Sequence, residues 1–382
     1  MTSRLLGAAL AIGTAASVVG YDTAAFAQAT SAEPIKFGAV LSVTGVGAGL
    51  GVNERNGLIL SEKTINAKGG LNGRPIRIII EDDTSNPDTA VTKVNDLIFN
   101  QKVITVFGGS LLGPAVALGG ITDTAKIPQL TFTGLGPAVE RNRKCVFHML
   151  PPHELNARAL FEYARSIGAK KVGVLHDTGY GNVVMRELNN VAGDYKDIQF
   201  VGLEKYEMAA TDATAQAAKL RAAQPDAIFV IGTTATPFRA IRQLQMKQPI
   251  VAVNGASSYE VLNAMGNVVA NDIVFPEFIV NEDPLPNQKE FVELFRKEMN
   301  GRAKNFEAAA WDAVHVAMLA LAKVGPDAGG SKLCEAMREP YAGVMANYNF
   351  TADDMTGIGL SSFVFSKLVN GQFTRTPFRI AK

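Results

Sequence analysis

The feature that most constrains this chain is a regular alternation of short β-branched runs with longer segments of helical apolar spacing. Strands are expected at Ile35–Leu41, Arg77–Ile80 and Val103–Phe107. Between them, apolar residues recur at helical spacing over Asn53–Lys68 and Asp88–Asn100. An alternation of this kind predicts an α/β fold in which helices cover both faces of a parallel sheet.

The same alternation starts again after Pro151-Pro152, with further strands expected at Lys171–Leu175 and Ala227–Ile231. The chain ends differently, because Phe363–Phe365 and Asn370–Phe373 have the pattern of a hairpin. A chain of 382 residues is long enough for two domains of ordinary size. We therefore expect two α/β lobes that are joined by more than one crossover.

The first residues have the pattern of a secretory signal. A basic Arg4 precedes the apolar run Leu5–Val19, and Ala25-Phe26-Ala27 forms a small-x-small cleavage site. This pattern predicts a cleaved signal peptide over residues 1–27 and a mature N-terminus at or near Gln28. An uncleaved anchor is the alternative, but the run is short and rich in Ala and Gly. Because no Cys lies directly after the cleavage site and no later stretch is long and apolar enough to span a membrane, we expect a periplasmic protein without a lipid anchor.

Composition restricts the possible partners and the redox state. Hydrophobic residues make up 47% and charged residues 19% of the chain, as in a globular protein with a large core. A net charge of +1 lacks the basic footprint of nucleic-acid binding, so no such partner is expected. Cys145 and Cys334 either form a disulfide in an exported chain or remain two buried thiols.

The turns that follow the predicted strands are rich in glycine and hydroxyl residues in both halves. In open parallel sheets, ligands bind beyond the carboxyl ends of the strands, close to helix N-termini. Hydroxyl and backbone N–H groups donate hydrogen bonds, which suits an anionic ligand group. Each turn could serve only as a helix cap, but together they favour a site between the lobes. The turns are Ser42–Gly51, Gly108–Ser110, Thr131–Gly136, Thr178–Gly181, Gly232–Thr234 and Asn254–Ser258.

The motifs of catalysis and of cofactor binding are incomplete. The glycines at 45, 47, 49 and 51 do not fit the GxGxxG spacing of a dinucleotide site. Gly108–Leu112 lacks the second glycine of a nucleophile elbow. His153-Glu154 lacks the second histidine of a zinc helix, and the histidines at 148, 153, 176 and 315 have no metal-ligand spacing. We therefore expect no enzyme, no cofactor and no metal.

Several motifs resemble one known family. The sequence resembles the branched-chain amino acid class (Leu/Ile/Val-binding-protein-like) of periplasmic binding proteins, over essentially the whole mature chain. The motifs that carry the resemblance are Leu41–Gly45, Ile65–Pro75 with Asp82-Asp83, Phe107–Ser110, Ile127-Pro128 and His176–Gly181.

The resemblance implies a type I periplasmic-binding-protein fold, with two Rossmann-like lobes that contain parallel sheets and are joined by three hinge crossings. Lobe 1 would comprise residues 34–149 plus 279–350, and lobe 2 residues 150–278 plus 358–382. It also implies closure around a small carboxylate-bearing solute and docking on the membrane permease of an ABC importer. We expect the protein to be a monomer.

The motifs also assign candidate ligand contacts, each of which could instead be a turn residue or a cap. A ligand carboxylate would lie on the first lobe, and the second lobe would face it from across the cleft. Leu50 would line the pocket for the body of the ligand. The first-lobe contacts would be Ser110, the N–H of Leu111, Thr131, Thr133 and Gly134, and the second-lobe contacts Tyr180, Thr233 and Asn254.

One position departs from the family pattern. After the strand Ile250–Val253, amino-acid binders of this class usually place an acid that pairs with the ligand ammonium, and this chain has Asn254. The departure favours a carboxylate without an α-ammonium, such as an aromatic acid whose ring packs near Tyr180 and Leu50. Asp177 or Glu260 could replace the missing acid, so binding of a branched-chain or other amino acid stays the alternative.

A ligand sensor is the alternative from another functional class. The same fold occurs as the extracellular half of receptors and in cytoplasmic regulators. A receptor would continue into a membrane span, and a cytoplasmic regulator would lack the export signal.

Overall fold

The computed structural model describes residues 33–135, 142–266, 272–351 and 353–381. The predicted signal peptide and its cleavage site, residues 1–27, lie outside the described residues. Two main sheets organise the chain, and a small two-stranded sheet formed by β11 (Tyr341–Ala342) and β12 (Asn347–Tyr348) accompanies them.

The first main sheet has five strands in the order β2-β1-β3-β4-β5, and all of them run parallel. Its central strands are buried on both faces, which explains their nearly continuous apolar character. The strands are β1 (Ile35–Leu41), β2 (Ile76–Asp82), β3 (Val106–Gly108), β4 (Gln129–Thr131) and β5 (Val146–His148).

Helices cover both faces of this sheet. Pairs of apolar side chains on opposite faces of β1, such as Phe37 and Val40, belong to two separate cores. Gly57 lets two of the helices approach closely, since a Cβ there would lie 2.3 Å from the carbonyl oxygen of Glu307. The helices are α1 (Ala48–Ala67), α2 (Pro87–Asn95, continued by a π-helical turn, Asp96–Asn100), α3 (Leu112–Ala125) and three from the later part of the chain: α9 (Lys289–Met299), α10 (Asn305–Val324) and α11 (Gly330–Ala336).

The second main sheet has seven strands in the order β14-β13-β10-β9-β8-β6-β7. The last two strands of the chain form an antiparallel hairpin at one edge, as the sequence predicts, and the other five strands are parallel. Asn370 and Gly371 form its turn with φ of 51° and 73°, as expected for Asn-Gly. The strands are β6 (Lys171–Asp177), β7 (Gln199–Tyr206), β8 (Ala227–Ile231), β9 (Ile250–Ala252), β10 (Ile273–Glu277), β13 (Val364–Val369) and β14 (Gln372–Arg375).

Five helices cover the second sheet on its two faces, against two further apolar cores. Short 3₁₀ turns complete this part of the chain at Ala192–Asp194, Asn254–Ala256, Pro286–Gln288 and Leu360–Ser362. The helices are α4 (His153–Ser166), α5 (Tyr180–Val191), α6 (Thr214–Ala222), α7 (Thr236–Gln243) and α8 (Tyr259–Met265).

The chain crosses between the two sheets after β5, after β10 and before β13. This arrangement confirms the predicted fold class, with two α/β lobes, parallel sheets and three crossings. The residue boundaries that we assign to the lobes stay a prediction. Within the described part of the chain, no helix has the length and apolarity needed to cross a membrane.

A disulfide links Cys145, just before β5, to Cys334 in α11. The Cα atoms lie 5.4 Å apart, within the range that a disulfide spans. Of the two alternatives that the sequence leaves open, the structure therefore shows the pair rather than two free thiols.

Candidate functional site

A cavity of about 310 Å³ lies between the carboxyl ends of the two sheets. Residues from the turns after strands of both sheets line it, and Phe306 closes one side from the start of α10. Every predicted ligand contact except Thr131 lines this cavity: Leu50, Ser110, Leu111, Thr133, Gly134, Tyr180, Thr233 and Asn254. The structure thus brings together turns that are far apart in the sequence.

Thr131 is the exception, because it lies outside the cavity wall. It is the last residue of β4 and is fully buried. Its hydroxyl donates to the carbonyl of Gly109 at 3.5 Å, and the side chain is not part of the cavity wall. Side chains alternate between the two faces of a strand, and Thr131 lies behind the turn that carries Thr133.

On the first lobe, the cavity wall contains the tight turn between β3 and α3. Gly109 packs directly on this helix, since a Cβ at Gly109 would lie 2.3 Å from Ala115. Ser110 follows, only 3% exposed, and its Oγ accepts from the N–H of Ser42 at 3.0 Å. Among the described residues, the backbone N–H groups of Leu111 and Thr133 have no partner. These donors give the first-lobe wall the capacity to bind an anionic group.

On the second lobe, a buried carboxylate organises the turns. Asp177 Oδ1 accepts from the N–H groups of Gly179 and Gly181, both at 2.8 Å. Burial raises the pKa of Asp177, and these hydrogen bonds oppose that rise. Asp177 is not part of the cavity wall. It therefore holds the turn that carries Tyr180 in place rather than replacing the acid that position 254 lacks.

Tyr180 and Asn254 contact each other across this wall. The Tyr180 hydroxyl donates to Asn254 Oδ1 at 3.5 Å, and burial raises the pKa of Tyr180 well above its usual range. The ring of His153 packs edge-on against Tyr180 with centroids 5.3 Å apart. His153 Nε2 also lies 3.2 Å from the carbonyl oxygen of Gly134, which connects the two lobes.

Much of the wall was not predicted, because it consists of apolar side chains from several elements. Phe132 lies inside a predicted turn, but only its hydroxyl and glycine neighbours were singled out. Met208 and Phe306 give no signal in the sequence, since they reach the cavity only through the fold. The additional wall residues are Val46, Leu112, Phe132, Leu150, Pro151, His153, Asn156, Gly179, Val183, Met208, Gly255 and Phe306.

The charge of the wall is as informative as its shape. Among the described residues, no Asp, Glu, Lys or Arg side chain lines the cavity. Nor do three or more His, Cys, Asp or Glu side chains in the described ranges form a group that could hold a metal ion. A mostly apolar cavity with a few hydrogen-bonding groups is typical of a site for a small organic molecule.

Glu260 is the other acid that the sequence suggested as a substitute. It lines an adjoining cavity of about 200 Å³, which shares Val46, Leu50, Thr233 and Gly255 with the main cavity. Its carboxylate accepts a hydrogen bond from Asn53 Nδ2 at 3.3 Å, a contact between α8 and α1. Glu260 is exposed, so its charge is solvated beside the cavity.

Comparison with known proteins gives the family. Residues 34–367 match the family described as periplasmic binding protein. An "Amino acid binding protein" of Pseudomonas aeruginosa is 25% identical over 306 residues, which cover 78% of this chain and 79% of that protein. The "Leu/Ile/Val-binding protein homolog 7" of Brucella abortus is 24% identical over 347 residues, covering 85% of this chain and 86% of that protein.

Two solved structures show the same fold. LivJ from Streptococcus pneumoniae, solved in complex with isoleucine, has a TM-score of 0.83 and 22% identity, and the match covers 91% of this chain and all of LivJ. A solute-binding protein of an ABC transporter from Rhodopseudomonas palustris BisB5, in complex with 3,4-dihydroxybenzoic acid, has a TM-score of 0.78 and 22% identity. That match covers 91% of this chain and 96% of the other. The match of the family model over residues 34–367 shows that the chain belongs to the periplasmic binding protein family.

Proposed function

We propose that this protein is the periplasmic solute-binding component of an ABC importer and that its solute is a small carboxylate with an aromatic or aliphatic body. The observation that carries the proposal is the cavity between the lobes, whose described wall is mostly apolar and has no Asp, Glu, Lys or Arg side chain. Capture and release by such a protein need no chemical step. The lobes would close on the solute about the three crossings.

The first lobe is suited to the carboxylate of the solute. The N–H groups of Leu111 and Thr133 face no other acceptor among the described residues. The hydroxyl of Ser110 lies in the same wall. Hydrogen bonds between neutral donors and a carboxylate are stronger than those between neutral groups, so these donors can hold the anion without a buried cation.

The second lobe is poorly suited to an ammonium group. The amide of Asn254 carries no charge, and its oxygen already accepts from Tyr180. The oxygen keeps a second lone pair that can accept from an ammonium group, but a neutral acceptor supplies no counter-charge. Burying an ammonium without a counter-ion costs on the order of several kcal/mol. A solute without an ammonium avoids this cost.

The body of the solute would lie against aromatic and apolar side chains. Phe132, Tyr180, Met208 and Phe306 form much of the wall. Aromatic rings pack favourably against one another and against methionine sulfur. Of the two similar structures above, one contains an aromatic acid and the other isoleucine, so this fold holds both classes of solute.

An amino acid is the second candidate, and two observations favour it. Glu260 lies in the adjoining cavity, where its carboxylate could reach an ammonium group of a solute near Leu50. The sequence relatives above are named for amino acids.

Matched pairs of solutes test the proposal most directly. Phenylalanine and 3-phenylpropanoate differ only in the ammonium group, and so do leucine and 4-methylpentanoate. We expect calorimetry to give tighter binding for the acid without the ammonium in each pair. A thermal-shift screen should rank the two solutes of each pair in the same order, because binding to the folded state alone raises the unfolding midpoint. Tighter binding of both amino acids would contradict the proposal and establish the second candidate.

Export is part of the same proposal. The Cys145–Cys334 disulfide supports an oxidising compartment such as the periplasm. N-terminal sequencing of the periplasmic fraction should find a chain that starts at Gln28 or within a few residues of it. A full-length chain in the cytoplasmic fraction would contradict this.

A further inference from the structure

A fully buried carboxyl group lies directly behind the carboxylate end of the proposed site. Glu54 in α1 is 0% exposed, and its Oε2 lies 2.5 Å from Ser110 Oγ. Its other oxygen, Oε1, has no hydrogen-bond partner among the described residues. Ser110 therefore connects the cavity to a buried acid.

The hydrogen-bonding capacity of Ser110 depends on the protonation of this acid. A serine hydroxyl has one hydrogen to donate and two lone pairs that accept. One lone pair already accepts from the N–H of Ser42. If Glu54 is ionised it can only accept, so Ser110 must donate its hydrogen to Glu54 and has none for a solute. If Glu54 is neutral it can donate to Ser110, whose own hydrogen is then available to the cavity.

We propose that Glu54 is a positioning residue that works as a neutral acid, and that the proton it keeps allows Ser110 to donate to the carboxylate of the solute. The inference rests on the proposed function, since it concerns the same carboxylate end of the site. No covalent bond is made or broken. Above the pH at which Glu54 ionises, binding takes up one proton from solvent, and this proton resides on Glu54 in the complex.

The acidic groups around Glu54 favour its neutral form. Burial, together with the negative charges of Asp83 and Glu307, raises the pKa of Glu54 to about 8, although the hydrogen bond from Ser110 opposes the rise. Asp83 lies in the loop after β2, and Glu307 lies in the first turn of α10. Asp82, at the end of β2, accepts from the Thr44 hydroxyl at 2.7 Å.

Two lysines on the neighbouring elements are paired with other acids. Lys304, at the start of α10, forms a buried ion pair with Glu277. Lys63, at the far end of α1, pairs with Glu298 of α9 at 2.6 Å. Arg55 is next to Glu54 in α1, where consecutive side chains do not face each other. In the described part of the chain, no ion pair neutralises Glu54.

Calorimetry over a pH series tests the inference, with 3-phenylpropanoate as the probe because its carboxylate stays ionised above about pH 6. We expect a constant association constant up to about pH 8 and a fall approaching tenfold per pH unit above it, since the competent form is the protonated one. Titrations in two buffers of different ionisation enthalpy should show proton uptake rising from near zero at about pH 6.5 towards one above about pH 9.

Two variants separate this role from a structural one. In Glu54→Gln the amide N–H₂ donates to Ser110 at every pH, so we expect affinity to be retained and the pH dependence to disappear. In Ser110→Ala we expect weaker binding, again without the pH dependence. If Glu54→Gln does not fold, the pH profile and the proton uptake of the wild-type protein still test the inference.

The outcomes distinguish this inference from the proposed function. If 3-phenylpropanoate binds with no pH dependence and no proton uptake, the inference is wrong and the proposed function stands. If leucine binds instead, the same titration with leucine tests the inference, because its carboxylate needs the same donors. If neither binds, both fail. Infrared spectra give a check without solute: a neutral carboxylic acid band at about pH 7 that is lost in Glu54→Gln supports the inference, and its absence overturns it.

Discussion

Each lobe has a buried acid behind its side of the site, and the two acids have different surroundings. On the second lobe, Asp177 accepts from backbone N–H groups, including those of Gly179 and Gly181. On the first lobe, Glu54 has a single side-chain partner, Ser110, and acidic neighbours. Several N–H donors stabilise a carboxylate, whereas one hydroxyl in a buried acidic environment does not. A buried carboxyl group thus orders a turn on the second lobe, whereas on the first lobe we infer that it stays protonated.

The difference also explains how two lobes with the same architecture can contact different ends of a solute. The first lobe presents hydrogen-bond donors to the carboxylate. The second lobe fixes its turn internally through Asp177 and presents Tyr180 and Asn254, neither of which is ionised at neutral pH. The backbone donors that we assign to the carboxylate therefore lie on the first lobe.

Removing the second-lobe acid should have the largest effect. In Asp177→Ala, the N–H groups of Gly179 and Gly181 lose their buried acceptor, at a cost on the order of 3 kcal/mol in unfolding free energy. Urea unfolding measures this cost. Asp327→Ala, an exposed position, is the control and should change the free energy by less than about 0.5 kcal/mol. If the two variants had equal stability, Asp177 would not organise the turn.

A new negative charge on the second lobe should favour the solute that has an ammonium group. In Asn254→Asp we expect the affinity for phenylalanine relative to 3-phenylpropanoate to rise about tenfold to a hundredfold, or about 1.4 to 2.7 kcal/mol, because the ammonium gains a counter-ion. Calorimetry with the matched pair measures this ratio.

The control for this variant places the same charge elsewhere in the cavity. Asn156 is 2% exposed, also lines the wall, and its Oδ1 has no partner among the described residues. Asn156→Asp should weaken the binding of both solutes without changing the ratio of their affinities. If Asn254→Asp behaved in the same way, position 254 would not face the carbon that carries the ammonium group in phenylalanine.

The sequence predicted the fold because its two strongest signals, alternating elements and turn chemistry, are local. β8 (Ala227–Ile231) was predicted at its observed limits, since a continuous apolar run marks a strand that is buried on both faces. β5 (Val146–His148) and α8 (Tyr259–Met265) were not predicted, because elements this short show too few apolar repeats.

The site was predictable only where it consists of turns. Ser110, Tyr180 and Asn254 follow strands, and the sequence shows them as turn residues. Phe306 and Met208 come from positions that depend on how the elements pack, so no local pattern marks them. Glu54 illustrates the limit most clearly, because it lies in the middle of α1 and its partner Ser110 is 56 residues away in the chain.

Substitution of Glu260 should have the smallest effect, and it tests whether the second lobe supplies a charge to the solute. It is exposed and accepts one hydrogen bond from Asn53 at 3.3 Å, so its removal should cost less than about 1 kcal/mol. In Glu260→Gln we expect the affinity for 3-phenylpropanoate to stay within about twofold, because the carboxylate donors lie on the first lobe. Glu290→Gln, an exposed change on α9, is the matched control for the lost charge. A loss of about tenfold or more for leucine in Glu260→Gln alone would show that the second lobe supplies a counter-ion from α8, and the amino-acid alternative would then hold.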